Sequence, residues 1–509
     1  MSAPLHRDLK QVDPQTAWQP WTPHAGQPFD AKWAGHLFRR AAFGANPDEI
    51  RKAVRNGFDP TLQTLLVGDE RAANRLSFLE DTGELIARAD EPDALRGWWL
   101  YAMLNGGHRL REKMVLFWHN HFATSIAKVR STSLMFRQNQ LLRRLALGKF
   151  GPLLQGVSRD SAMLVWLDSN ENVKAHPNEN FAREVMELFT IGVGNYTEND
   201  VRGAARAFTG WHINGDDGFV MNEAEHDAGS KTVLSKTGNW DGDDVLRILL
   251  EQPACGDFLA AKLYRFFVGE VAPPKKLLDP LAAQLRGSDF DIGATVATIL
   301  RSRLFFSEHA YQKRIKSPVE FVLGAVRAAW PGPIATVDLV APLESMGQSL
   351  FAPPNVKGWT GGKNWLTDAT LLARHNFAEK VAGAQPAPAA PPPAVPGPIP
   401  RQLSATLPQH AAETTLVSHQ PSEWDFTGDP VSKALQPSPG ALWYVQKMKA
   451  RTPSAINRAI GEQFFPSGLP GHVSRKLESF LGDPETIVSQ TNIREAIHAV
   501  MCLPEYQLC

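Results

Sequence analysis

Apolar residues return every three or four positions along nearly the whole of this chain, and that period restricts it to a helical architecture. Trp33, Leu37 and Phe38 open one amphipathic segment, and the stretches 95–104, 110–122, 136–147 and 181–189 repeat the pattern. Local start signals agree. Asn46-Pro47-Asp48-Glu49 offers a capping residue followed by proline at the first helical position. Thr197, with Asp200 three residues on, has the form of a capping box. Strand signals are confined to 218–221 and 232–234, inside the Gly/Asp-rich stretch 214–244, and suggest one small hairpin. The expected fold class is all-α, mainly bundle-like, with at most that hairpin.

At 509 residues the chain is long for one core, so two or more lobes are expected. Residues 1–30 are rich in Pro and Trp and predict an extended arm whose indoles cover apolar patches. Residues 31–381 form the main helical domain. From Ala382 to Pro400 alanine and proline alternate with almost no charge, which gives a polyproline-II spacer or an insertion. Residues 401–509 follow, with helical stretches at 454–465, 473–481 and 493–501. These form either a small bundle or a layer packed back on the main domain.

Lys+Arg and Asp+Glu balance at 53 each, which argues against a protein built to neutralise nucleic-acid phosphates. No stretch is long and apolar enough to span a bilayer. The first residues, MSAPLHRDLKQVDPQTAWQPWTP, contain neither an apolar signal core nor a twin arginine. By that signal alone the chain is expected in the cytoplasm; co-export with a partner would make it periplasmic. Cys255, Cys502 and Cys509 form no CxxC pair, so a disulfide framework and a cysteine zinc site are both unexpected. The nucleophile elbow GxSxG, the Walker A loop, HExxH, GxGxxG after a strand and CxxCH are all missing. Nucleotide hydrolysis, Rossmann redox chemistry and zincin proteolysis are therefore not expected.

Several polar groupings remain as candidates. His119-Asn120-His121 offers two imidazoles able to ligate a metal or exchange protons near neutral pH. On a helix the two histidines point about 160° apart. Either the helix ends there and both turn inward, or only His121, in the stripe of Leu110, Met114, Phe117 and Trp118, is buried. Glu184 and Glu187, three residues apart, can serve one site, whereas Glu179 and Arg183 make an i,i+4 pair worth about 0.3 kcal/mol. The segment 226–244 is densely polar. Asp241, Asp243 and Asp244 either bind a cation or place negative charge at the start of the helix that follows. His212 closes the preceding helical stretch. A metal-assisted hydrolase would need His121, Glu184, Glu187, His226 and Asp227 to converge as acid, base and ligands. A divalent metal would then be held by a subset of His119, His121, Glu187, His212, Asp241 and Asp243. Finally, FAPPNVKGWTGGKNW sets Lys357, Trp359 and Trp365 on a Gly/Pro-rich loop, as a ligand platform or as a plug for a bundle.

Four long stretches carry a family resemblance: LREKMVLFWHNHFATS, NENFAREVMELFTIGVGNYTENDVRGAARAFTGW, HDAGSKTVLSKTGNWDGDDVLRILLEQPACGDFLAAKLYRFFV, and KSPVEFVLGAVRA with MGQSLFAPPNVKGW. With RRAAFGANPDEI near the start and LPEYQLC at the end, the chain resembles the bacterial domain-of-unknown-function 1800 family over almost its whole length. The resemblance implies a mostly helical fold and brings no activity with it. It also implies a partner: a protein of the domain-of-unknown-function 1501 family, which resembles sulfatases and alkaline phosphatases. Family members often begin with an export signal, which this chain lacks, and 382–400 looks like an insertion relative to a compact member. The reading that follows is an accessory helical protein acting with such a partner on a secreted or surface polymer.

Overall fold

Helices begin where the sequence places a short polar side chain able to accept a backbone N–H. Asn46, Thr197, Asp241 and Ser317 each cap a helix, and each closes a reciprocal capping box with Glu49, Asp200, Asp244 and Glu320 respectively. The computed structural model describes residues 5–214, 218–330, 332, 334–383, 440–485 and 487–509. The protein is predominantly helical, with two small antiparallel hairpins among the described residues.

The hairpins differ from the single one expected. Strand β1 (Trp211–Ile213) pairs with β2 (Phe219–Met221), and β3 (Lys231–Val233) pairs with β4 (Lys236–Gly238). The runs at 218–221 and 232–234 thus each find a nearer partner than one another. Val233 faces Lys236 across a two-residue loop, and Leu234 and Ser235 both adopt positive φ (48° and 66°). That is the turn geometry whose twist suits a hairpin, here without the Asn-Gly or Asp-Gly that usually announces it.

The N-terminal arm is not wholly extended. Leu9–Gln11 and Pro14–Trp18 are helical turns. The indoles are buried: Trp18 donates to Leu277 O (2.6 Å), and Trp21 stacks on Phe306 with ring centroids 4.1 Å apart. The separate lobes expected from chain length are not built on separate cores. One contiguous apolar cluster runs from Val12 to Tyr506. Residues after 440 share it: Trp443 Nε1 donates to Ala328 O (2.8 Å), Lys316 N to Gln507 O (2.8 Å) and Cys509 N to Arg314 O (2.9 Å). Helix Gln490–Met501 packs along helix Asp368–Gly383. Of the Ala/Pro stretch, residues 384–400 lie outside the described residues, as do 401–439.

Helix Arg109–His121 sits at the centre and is buried on nearly every side. A helix covered all round is expected to be apolar, yet this one carries Glu112 and Lys113, both buried. Such charges are tolerated only when paired and hydrogen-bonded. Arg143 grips Glu112 in bidentate fashion (2.7 and 2.9 Å), and Lys113 Nζ donates to Glu320 Oε1 (2.5 Å). Glu320 Oε1 also accepts from Arg314 (3.2 Å), and Glu320 Oε2 accepts from Ser317 N (2.8 Å). Burial alone would raise the Glu320 carboxyl, but Arg314 and Lys113 outweigh it and hold it far below the usual range.

Removing one partner from a buried network leaves the others uncompensated. Glu320→Gln is expected to cost about 3–5 kcal/mol, read as a fall in the urea midpoint at constant slope. Glu84→Gln, which breaks the exposed pair with Arg88, should change stability by less than about 0.5 kcal/mol. Equal effects from the two would mean that the network around Glu320 carries no special weight.

Candidate functional site

The three residues His119, Asn120 and His121 end the central helix and point to three different places. Both histidines are buried, as the first of the two sequence alternatives has it: the helix ends at His121, and packing reaches it from two sides. His119 lies among the rings of Trp99, Phe351 and Trp359, and burial lowers its pKa to about 3. His121 lies against Phe117, Trp118, Phe122 and Phe189. Asn120 clamps the following loop: its Oδ1 accepts from Trp359 N (2.6 Å) and its Nδ2 donates to Trp359 O (3.3 Å). Gly358, at φ 73°, is required there, since any Cβ would collide with Asn120 Oδ1 and O.

His121 belongs to a small polar chain. Helix Glu179–Glu184 runs into a π-helical turn, Val185–Thr190, whose wider winding is secured by Thr190 Oγ1 donating to Val185 O (2.5 Å). The last carbonyls of a helix lack partners within it. Here Phe189 O accepts from His121 Nε2 (3.0 Å) and Leu188 O accepts from Lys262 Nζ (3.2 Å). Placing the imidazole proton on Nε2 leaves Nδ1 as an acceptor, and Lys262 Nζ lies 3.1 Å from it. Burial, then the charge of Lys262, keeps His121 neutral well below its ordinary pKa. Burial, assisted by Arg265, pulls Lys262 down to about 8. Two of the three ammonium protons are committed, which leaves one for a ligand.

Lys262 and His121 line a cavity of about 310 Å³. Its wall includes Arg265, Arg314, Lys357, Glu270 and Glu320, with Trp359 and Trp365 from the Gly-rich loop. Both acids are already engaged, Glu320 as described and Glu270 by Ile315 N (2.9 Å). The wall sets Lys262, Arg265, Arg314 and Lys357 against Glu270 and Glu320, so cationic side chains outnumber acidic ones. Trp359 and Trp365 are largely buried, and both line the cavity; Trp359 also packs on His119, with ring centroids 5.6 Å apart. Lys357 is exposed at the rim.

The other sequence candidates do not gather here. Glu184 is half-buried, its pKa raised by burial and by Glu187, with Lys357 opposing. Glu187 accepts from Tyr196 OH (2.7 Å). His212 pairs with Glu225 (2.5 Å) on the first hairpin. His226 Nδ1 lies 2.9 Å from Thr209 O, and Asp227 makes a bidentate pair with Arg206 (2.6 and 3.2 Å). Asp241 caps helix Gly242–Leu250, and Asp243 binds Arg159 and Gln155. His226, Asp227, Asp241 and Asp243 are each hydrogen-bonded by a local partner, which is the ordinary fate of polar groups near a surface hairpin. A convergent centre of His121, Glu184, Glu187, His226 and Asp227 is not formed.

Donor atoms able to hold a divalent metal do come together elsewhere: those of His375 and His498, which the sequence reading passed over, and of Cys502, where it expected no zinc site, lie within 4.8 Å of one another. All three cysteines are free thiols. Sequence reasoning also missed Lys262, which sits in an apolar helix pattern (FLAAKLYRFF) where a lone lysine looks like a solvated position. Its one visible signal is the place it takes beside buried Leu259 and Leu263.

Among the described residues, no helix is long and apolar enough to cross a membrane. Comparison with curated proteins and with solved structures found no match. The family model described as "Protein of unknown function (DUF1800)" matches residues 36–508. With that span the chain belongs to the DUF1800 family.

Proposed function

We propose that this protein is an accessory binding protein that takes an anionic ligand, a sulfate or phosphate ester on a sugar, into the Lys262 cavity. On this reading it acts with a sulfatase/phosphatase-like partner of the domain-of-unknown-function 1501 family on a secreted or surface polymer. The observation that carries the reading is the lining: Lys262, Arg265 and Lys357 beside two largely buried indoles, with Glu320 and Glu270 of the wall each hydrogen-bonded. Cations recognise the ester oxygens, and indole faces suit the apolar face of a sugar ring. The same anion class is what a phosphatase- or sulfatase-like partner would process. A metal-assisted hydrolase built on His121, Glu184, Glu187, His226 and Asp227 has less support, because His226 and Asp227 are bonded to Thr209 and Arg206 away from the cavity.

Calorimetric titration with sulfated and phosphorylated monosaccharides is expected to show saturable binding. Lys262→Ala should weaken it by roughly 10- to 100-fold, the worth of one charge-assisted hydrogen bond. Binding of equal strength in wild type and variant would remove the cavity from the proposal.

The pH dependence has a definite sign. Lys262 has its pKa lowered to about 8, so its charge is present below that value and lost as pH rises through it. Affinity for a sulfate ester, whose charge is constant, should hold steady from pH 6 to 7 and fall by up to roughly tenfold per unit above about 8. A rise in affinity over the alkaline range would contradict the assignment of Lys262 as the anion-binding cation.

Co-purification tests the partner. A domain-of-unknown-function 1501 protein from the same genome should be recovered with it at a fixed ratio; recovery of this chain as a lone monomer counts against the accessory role.

A further inference from the structure

Helix Asp368–Gly383 carries His375, and helix Gln490–Met501 carries His498 with Cys502 as its C-cap. His498 and Cys502 are four apart, so both side chains leave the same face of one helix. The two helices pack side by side and bring His375 opposite that face. Cys502 Sγ lies 3.4 Å from His375 Nδ1, and the two imidazoles meet edge to face with centroids 4.4 Å apart. His498 Nε2 is buried without a hydrogen-bond partner. An orphaned imidazole nitrogen in a polar cluster calls for an explanation, and a Lewis acid supplies one.

We infer that His375, His498 and Cys502 form a zinc site that fastens helix Gln490–Met501 to helix Asp368–Gly383. Donor atoms on a tetrahedral zinc ion stand roughly 3.3–3.8 Å apart, given bonds of about 2.0–2.3 Å. The present spread of 4.8 Å or less closes to that with small rotamer changes. Two imidazoles and a thiolate are ligands that zinc favours over magnesium or calcium, which take oxygen. Binding converts the thiol to a thiolate and releases one proton, so Zn2+ and R–SH become Zn–SR+ and H+. Water fills the fourth position, since Cys502 and His375 are not fully covered. The clamp joins the last helix before residue 384 to the final helix of the C-terminal segment, so its work is mechanical and independent of the Lys262 cavity.

The test uses the full chain, stripped with chelator and titrated with Zn2+ against a chromophoric competitor. One equivalent per chain is expected, with a rise in melting temperature. His498→Ala and Cys502→Ser should each weaken binding by at least roughly tenfold and abolish the rise. Far-UV circular dichroism checks that the variants keep the fold. Cobalt(II) provides a second readout in unaltered protein: a tetrahedral visible spectrum with a thiolate charge-transfer band, the band lost in Cys502→Ser. Absence of stoichiometric binding, binding indifferent to both substitutions, or a cobalt spectrum without the thiolate band would each overturn the inference.

Discussion

The carboxylate of Glu320 is the constraint on which the centre of this molecule is built. It completes the N-terminal box of helix Pro318–Ala329, neutralises Lys113 of the central helix and Arg314 of the preceding loop, and reaches the cavity wall. Its charge also acts on Arg40, Lys316 and Arg374. These cations are buried, and Lys316 is drawn down to about 7 by burial. A carboxylate that served only as a helix cap would be exchangeable for Gln at small cost. One that also anchors two buried cations fixes the relative positions of three segments, because each must bring its polar group to the same few cubic ångströms.

The consequence for the cavity is geometric. Arg314 and Glu320 form its rear wall, and the central helix supplies Leu116, Phe117, Asn120 and His121 to its side. Asn120 then ties the Trp359 loop to the end of that helix. Trp359 is thus held by a clamp to a deeply buried helix of the fold, instead of riding on a free loop. A loop positioned in this way presents its aromatic faces with little conformational entropy left to lose on binding.

Much of the helical frame was legible, because capping and periodicity are local properties. Asn46, Thr197 and the Asp241–Asp244 pair mark helix starts within a few residues, and the structure uses them so. The paired faces of 181–189 were also readable: Phe181, Ala182, Val185, Met186 and Phe189 are buried, while Arg183, Glu184 and Glu187 are not. What escaped were features set by distant chain. The choice between the two alternatives for His119 and His121 was one: separate segments cover opposite faces of one helix, and a helical wheel does not show both. The π-helical turn at 185–190 leaves no mark on the apolar pattern. Leu234-Ser235 gives a hairpin turn without glycine, so the two hairpins were read as one. His375 and Cys502 are 127 residues apart. Only packing of their helices makes them neighbours, although the four-residue spacing of His498 and Cys502 was in plain view.

Lys262 gives the proposed anion site its physical basis. Its ammonium group has lost water to burial and has gained two acceptors, a carbonyl and the neutral nitrogen of His121, neither of which bears a charge. Dipolar acceptors offset only part of the desolvation of a cation, which is why its pKa stays depressed. An entering sulfate or phosphate ester would supply the missing negative charge and make the third hydrogen bond in a partly desolvated site, where such a bond is stronger than in water. A neutral guest could accept the hydrogen bond but would bring no charge, and a cationic one would be repelled. The discrimination therefore comes from what the site leaves uncompensated in the free protein, and it depends on His121 being held neutral by Phe189 O and its apolar surroundings.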